Sequence, residues 1–300
     1  MRIHIVSCLS FIAACKGSTT PDAPPAMDIG FNKPTVALHA NNEPSGATTP
    51  TDLGPANFAC LNTASTDMPT TVAVALSTTV KDFQSHNLVP NAMVTAFQDI
   101  NYTAPFDTKT ADENAAISFT VPIGTTRFGF EMNGTGVMPT FLLNQYIDPN
   151  MATQTLSRIQ SVSDATAETL PALIGETRIQ GTGVVAGTVH DCDGNEVSNF
   201  IGTVSTTSGT ATLIDGAESY YFSAGIDLPV HHQQQESSSG DGIFMVIQLP
   251  PQTAGFVQAW GYASDADLAA DKLTLIAELA VPVLADSVVT GDFDPLRSGQ

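Results

Sequence analysis

Two short polar clusters in the second half of the chain have the residue types of metal sites. Asp191, Asp193 and Asn195 offer oxygen atoms at alternating positions, as in the first half of a calcium-binding loop. Such a loop has glycine at its sixth position and glutamate at its twelfth, where this chain has Glu196 and Gly202. Asp-Gly and Gly-Asn steps are also ordinary turn chemistry. We therefore interpret the segment as a hairpin turn, with calcium binding as the weaker alternative.

The second cluster is the run His231-His232-Gln233-Gln234-Gln235-Glu236. On a helix, His232 and Glu236 would share one face, and imidazole and carboxylate groups are ligands of transition metals. The serines and the glycine that follow at 237–240 favour a loop instead. This pattern predicts adventitious metal binding here and not a built site.

An aromatic strand near the C-terminus is a third candidate for ligand contact. Phe256, Gln258, Trp260 and Tyr262 alternate and would share one strand face. We predict that this face is core. The alternative is that Trp260 and the pair Tyr220-Tyr221 stack on a sugar, as in a carbohydrate-binding module.

No motif typical of catalysis occurs in the sequence. His-Glu-x-x-His, Gly-x-Ser-x-Gly, Cys-x-x-Cys and the Walker loop are all missing. With six histidines in the chain, a Ser/His/Asp triad has no segment that points to it. We predict a non-enzymatic protein without a cofactor, and the alternative is an enzyme with an unrecognised site.

The elements that would position these residues are strands. From residue 70 onward, apolar and polar residues alternate with a period of two, and turn residues separate the runs, which indicates antiparallel strands. The second half repeats the order of the first: 241–250 mirrors 112–122, and 256–262 mirrors 126–132. An insertion over Ser205–Ser238 lengthens the second copy. Two copies of one strand order predict an all-β fold of two tandem antiparallel sandwiches.

One detail of the repeat concerns its acidic residues. Asp82 lies two residues after Val80, as Asp191 lies two residues after Val189. In both copies the aspartate is followed by turn residues and then by the next strand. We expect the two aspartates to close the same strand of the repeat.

The turn and strand residues of the repeat resemble the carboxypeptidase regulatory-like, or prealbumin-like, β-sandwich. The resemblance covers Val80–Phe97 with Thr110–Gly124, and Gly187–Val204 with Ser239–Pro250, under a third of the chain. It implies two Ig-like sandwiches and carries no chemistry. Two departures are the missing glycine between Lys81 and Val89 and Gln252 in place of the final glycine.

Between the copies, the segment 163–175 predicts one short helix. Ser163 suits the N-cap, Asp164 the positive helix start and Gly175 the position after the C-cap. Leu170, Leu173 and Ile174 would form its apolar stripe. The predicted organisation is a signal peptide at 1–14, a disordered tether at 15–57, sandwiches at 58–160 and 179–300, and a helical linker at 161–178.

The N-terminus resembles a bacterial lipoprotein signal peptide. Arg2 precedes a short apolar run that ends in Ile12-Ala13-Ala14-Cys15, which matches a lipobox. The resemblance implies cleavage before Cys15 and lipidation of that residue. Lys16, in place of the aspartate of an inner-membrane retention signal, implies the outer membrane. The layout also resembles uncharacterised lipoproteins of myxobacteria.

The residues after Cys15 are typical of an exported tether. Seven prolines lie between residues 16 and 57, and no apolar periodicity runs through them. A net charge of −20 excludes nucleic acid as a partner, so the membrane is met through the anchor and the other partners are envelope proteins or glycans. Cys60 and Cys192 remain, either bridged in an oxidising compartment or as two small buried side chains.

Overall fold

A computed structural model describes residues 30–42, 49–156, 159–173, 175–223 and 228–298. The predicted signal peptide and Cys15 lie outside the described residues. Within those ranges, no helix has the length and hydrophobicity that crossing a lipid bilayer requires. The all-β class and the sandwich architecture predicted from the sequence are confirmed.

Part of the predicted tether belongs to the folded body. The strands here are β1 (His39–Asn42) and β2 (Thr51–Pro55), which pair with each other. Ala40 also pairs with Val197 in the second copy, and Leu38 is completely buried. The prediction of disorder is therefore wrong for 30–42 and 49–57. Backbone pairing and a few small apolar side chains hold this segment, although it has no apolar periodicity.

In the part of the first copy that the structure describes, six strands are followed by two short strands and a helix. Their bounds are β3 (Val74–Asp82), β4 (Met93–Gln98), β5 (Pro105–Thr110), β6 (Ala116–Val121), β7 (Arg127–Gly134), β8 (Val137–Tyr146), β9 (Thr153–Thr155), β10 (Ile159–Ser163) and α1 (Asp164–Leu173). The clean alternation of β6 has the expected outcome, because Ile117, Phe119 and Val121 are all buried.

Among its described residues, the second copy contains nine strands and one short helix. Their bounds are β11 (Gly183–Val189), β12 (Glu196–Ser198), β13 (Ile201–Ser205), β14 (Glu218–Phe222), β15 (Pro229–His231), β16 (Ile243–Leu249), β17 (Gln252–Gly261), α2 (Asp265–Ala269), β18 (Thr274–Val283) and β19 (Val288–Phe293). β14 and β15 lie inside the insertion that the sequence comparison of the two copies isolates.

The two copies share one pairing scheme. In the first copy β3 pairs antiparallel with β6, and β7 pairs antiparallel with both β4 and β8. In the second copy β11 pairs with β16 in the same sense, and β17 pairs with both β13 and β18. Each copy also adds parallel neighbours to its first strand, β9 and β10 on β3 and β19 on β11. The internal repeat of the sequence is thus a repeat of structure.

The copies are joined edge to edge and not as separate beads. β8 of the first copy pairs in parallel with β19 of the second, so one sheet runs through both halves. Phe97, Phe141 and Leu143 of the first copy pack in the main hydrophobic cluster of the second. Period-two alternation does not distinguish parallel from antiparallel partners, which is why the sequence did not indicate these parallel contacts.

The helix forms where the sequence predicts it. The Ser163 hydroxyl accepts a hydrogen bond from the N–H of Thr166 at 3.1 Å, and Gly175 takes a φ of +78°. The predicted apolar stripe is wrong at Leu173, which is 51% exposed. The helix instead buries Thr166 and Ala167, since its first turn packs against the end of β3 and against β8.

Candidate functional site

The acidic segment 191–195 is a tight turn whose leading carboxylate is saturated with hydrogen-bond donors. Asp191 is 3% exposed, and its Oδ1 accepts the backbone N–H groups of Asp193 at 2.9 Å and Asn195 at 3.0 Å. Its Oδ2 accepts the N–H of Asn57 at 3.1 Å. Gly194 takes a φ of +81°, which suits glycine in a turn. Both carboxylate oxygens of Asp191, the first of the three residues considered for calcium, are therefore engaged in building the turn.

A disulfide lies beside this turn. Cys60 and Cys192, 132 residues apart in sequence, are bridged with a Cα–Cα distance of 5.9 Å. The N–H of Cys192 donates to the carbonyl of Asn57 at 2.9 Å, and Arg297 donates to the carbonyl of Cys60 at 3.1 Å. The segment at 57–60 is thus attached to the second copy by a covalent bond and several hydrogen bonds.

Asp82, the counterpart of Asp191 in the repeat, has the same kind of environment. It is buried, and Oδ1 accepts both the N–H and the hydroxyl of Ser85, at 2.9 and 2.8 Å. Oδ2 accepts the N–H of Ser163, the helix N-cap, at 2.9 Å. Burial alone would raise the pKa of Asp82, but these donors outweigh it and lower the pKa below the usual value.

A third polar cluster lies where the copies meet, around Arg127. The guanidinium contacts the carboxylates of Asp67 at 2.7 Å and Asp294 at 2.8 Å. Burial raises the pKa of Asp292, against the opposing effect of His190, and the neighbouring Asp294 raises it further. Arg127 lies between two carboxylates, as in a structural ion-pair network, while Asp292 and Asp294 are neighbours of like charge.

The histidine run contributes to a cluster that the sequence did not indicate. β14 and β15 pair antiparallel with Tyr220 opposite His231. Glu218 lies two residues before Tyr220 and therefore on the same face as His231. The His231 Nε2 and the Glu218 Oε2 are 2.7 Å apart. One potential ligand atom from each of Glu218, His231 and His232 lies within 4.8 Å of the other two.

His232 is held more tightly than its neighbour. It is 4% exposed, and its ring stacks on that of Phe31 with centroids 4.1 Å apart. Its Nδ1 lies 3.2 Å from the carbonyl oxygen of Ser219, which is an acceptor only, so Nδ1 carries the proton of the neutral ring. Burial lowers the pKa of His232, and the adjacent His231 lowers it further, although the carbonyls of Ser219 and Gly30 oppose this.

Glu236, which the sequence pairs with His232, points elsewhere. Its Oε1 accepts the N–H of Thr35 at 2.9 Å and the Thr35 hydroxyl at 2.5 Å. The segment 232–236 is a turn and not a helix, so the spacing of four residues does not place Glu236 beside His232. Glu218 takes that position, 13 residues before His231, and only the β14–β15 pairing brings it there.

The prediction for the aromatic strand is correct in part, because Gln258 and Tyr262 are buried. Val257 and Ala259 point into the main core, whereas Phe256 and Trp260 are half-buried on the outer face. The Trp260 Nε1–H donates to the Gln258 side chain at 3.0 Å. Tyr221 is a core residue of another sheet, so the structure does not assemble the aromatics considered for sugar stacking into one platform.

Comparison with known proteins adds only distant likenesses. No protein-family model and no curated protein sequence matches the chain. Among solved structures, it is similar to the Bacillus anthracis TIE protein, with 13% identity and a TM-score of 0.25 over 75% of this chain and 34% of that one. It is also similar to the shaft pilin SpaA of Lactobacillus rhamnosus GG, with 10% identity and a TM-score of 0.22 over 76% of this chain and 98% of the pilin.

A third likeness is to the minor pilin GBS52 of Streptococcus agalactiae, with 10% identity and a TM-score of 0.20 over 74% of this chain and 96% of that one. The chain spans about a third of the length of the TIE protein. At such identities and TM-scores these likenesses assign no role to any residue.

Proposed function

We propose that this chain is an exported lipoprotein, attached to the outer membrane through Cys15, whose folded body has a structural, adhesive or partner-binding role without catalysis. The Cys60–Cys192 disulfide is the observation that carries this proposal. Structural disulfides persist in oxidising compartments and are rare in the cytosol. Export is what the basic residue, apolar run and lipobox at the N-terminus independently imply.

The anchor accounts for how so acidic a protein stays at a membrane. A net charge of −20 is repelled by anionic lipid head groups. Several acyl chains on one N-terminal cysteine would hold it stably, whereas a single chain gives only marginal attachment. The partner would be an envelope protein or a glycan, reached by the folded body from either face of the outer membrane.

The environments of the buried acids support a scaffold. Asp82 and Asp191 are equivalent in the repeat. In both, each carboxylate oxygen accepts hydrogen bonds from within the protein. Carboxylates committed in this way add rigidity and are poorly placed to act as acids or bases on a substrate. The disulfide adds a covalent link between 57–60 and the second copy.

The proposal is tested on protein isolated from the membranes of a Gram-negative host that expresses the full chain. Mass spectrometry of the N-terminal peptide should show that residues 1–14 are removed and that Cys15 carries acyl chains. A Cys15→Ser variant should leave the membrane fraction, and its folded body should keep the Cys60–Cys192 bridge on a non-reducing gel. Retention of Met1–Ala14, or a free thiol at Cys15, would refute the anchor.

A further inference from the structure

We propose that Glu218, His231 and His232 form a binding site for a divalent transition-metal ion of the zinc type. The site lies in the insertion of the second copy, outside the repeated framework. It does not depend on the lipid anchor or on the proposed role of the folded body. Two imidazoles and one carboxylate are a donor set that suits Zn²⁺ and its neighbours, whereas Ca²⁺ prefers oxygen ligands alone.

The ligand atoms are already close to a binding geometry. Glu218, His231 and His232 each supply one ligand atom, and these three atoms lie within 4.8 Å of one another. The His231 Nε2 and the Glu218 Oε2 are 2.7 Å apart. Ligands around tetrahedral zinc, with bonds of about 2.0–2.1 Å, are roughly 3.3 Å from one another. The Glu218–His231 pair must therefore open by about 0.6 Å while His232 closes in, which side-chain torsions accommodate. Water would complete the coordination.

One ligand is oriented in advance. The His232 Nδ1–H donates to the Ser219 carbonyl, so the lone pair of the neutral ring is on Nε2. A second ring nitrogen bonded to a backbone carbonyl is the usual support for a metal-binding histidine. Stacking on Phe31 restricts rotation of the ring.

The other two ligands give the ion a way in. The Glu218 side chain is 41% exposed and that of His231 21%, so both reach solvent, His231 from the edge strand β15 and Glu218 from its neighbour β14. The β14–β15 pairing fixes the register of Tyr220 against His231 and hence the distance between the ligands. The site thus has a buried, oriented ligand on one side and two accessible ligands on the other.

The chain contains a matched control for an ordinary histidine–carboxylate pair. The His39 Nδ1 lies 3.0 Å from an Asp52 carboxylate oxygen, comparable to the Glu218–His231 contact. Among the described residues, His39 and Asp52 do not belong to any group of three potential metal ligands. Removing His39 therefore removes a surface pair of the same chemistry without touching the proposed site.

The test is a zinc titration of the full chain, without an added histidine tag, in competition with a chromophoric chelator. We expect one tightly bound Zn²⁺ per chain. E218Q and H231Q should each weaken binding at least about tenfold, while H39Q should bind like the wild type. Co²⁺ in place of Zn²⁺ should give the strong visible absorption of a four-coordinate site, and E218Q should lose it.

E218Q keeps the test decisive, since Glu218 is partly exposed and its loss leaves the core intact; circular dichroism verifies the fold. Three results would overturn the proposal: no zinc bound by the folded wild type, unchanged affinity in both E218Q and H231Q, or an equal loss in H39Q. Adding Ca²⁺ to the Co²⁺-loaded protein should leave the Co²⁺ spectrum unchanged. Displacement of Co²⁺ by Ca²⁺ would also contradict the assignment.

Discussion

The two copies of the repeat use the same aspartate for the same purpose and differ in what surrounds it. Asp82 closes β3 and ties it to the N-cap of α1. Asp191 lies two residues after β11 and ties it to the backbone at Asn57, next to the disulfide. Each carboxylate is buried and satisfied by N–H or O–H donors. We call each of these aspartates a clasp, Asp82 the first and Asp191 the second, because its carboxylate holds a neighbouring segment by hydrogen bonds. The segment that is held differs between the copies.

The larger difference is the insertion of the second copy. It adds β14 and β15 to the edge of the sheet and brings Glu218 beside two histidines. The first copy has β5 at the corresponding point of the chain, paired with β4 and not with β6. The repeated strands form a framework that occurs twice in the chain, whereas the cluster of Glu218, His231 and His232 occurs once among the described residues. We expect changes in the framework to affect stability and changes in the insertion to affect binding.

The largest effect should come from the disulfide, which only the second clasp has. A bridge that closes a loop of 132 residues stabilises the fold by about 5 kcal/mol in the chain-entropy account. Replacing Cys60 and Cys192 together by serine should lower the free energy of unfolding by about 4–5 kcal/mol in a urea titration. A loss below about 1 kcal/mol would show that 57–60 is held by its hydrogen bonds alone.

The next effect tests whether the two clasps are equivalent. D82A and D191A each leave several partly buried N–H groups without their acceptor, so each should cost about 2–3 kcal/mol in thermal or urea unfolding. D193A is the control, because exposed Asp193 accepts one hydrogen bond, from the Asn57 side chain, and should cost less than about 1 kcal/mol. A neutral D82A beside a costly D191A would break the equivalence.

Metal binding should stabilise the protein through the insertion and not through the framework. At a free zinc concentration about 100 times the dissociation constant, the free energy of unfolding should rise by about 2.7 kcal/mol. The shift in Tm should fall by at least about half in E218Q and persist in D193A. A shift that follows Asp193 instead would move the ion to the acidic turn.

The smallest effect is the pH dependence of the first clasp. The pKa of Asp82 is lowered in the folded state. Its ionised form therefore stabilises the fold at pH values above its usual pKa near 3.8. That contribution is lost as the pH falls through the lowered pKa. The stability gap between the wild type and D82N should therefore be constant near neutral pH and close below about pH 4. A gap that widens on acidification would mean that the carboxylate is destabilising.

Much of the fold could be predicted because strand patterns are local. The alternation in β6, the capping residues of α1 and the repeat of strand order all appear in the residues themselves. The parallel contact of β8 with β19 could not be predicted, since period two carries no information on the partner strand. The side of the sheet on which Trp260 lies could not be predicted either, because both faces of β17 bear apolar residues and a bulge interrupts its pairing with β18.

The candidate site was the least predictable part. The sequence singled out His231 and His232 but paired His232 with Glu236, a neighbour along the chain. Glu218 joins them only when β14 and β15 pair in one register. The turn at Asp191 was the easier case, because Asp-Gly and Gly-Asn steps encode their own local structure.

The most direct test of the account is an anomalous difference map from crystals of the zinc-treated protein, recorded above and below the zinc absorption edge. We expect one strong peak bounded by Glu218, His231 and His232, with none at Asp82 or Asp191. A peak at either aspartate, or no peak between the three side chains in zinc-replete crystals, would contradict the division between a repeated structural framework and a metal-binding insertion.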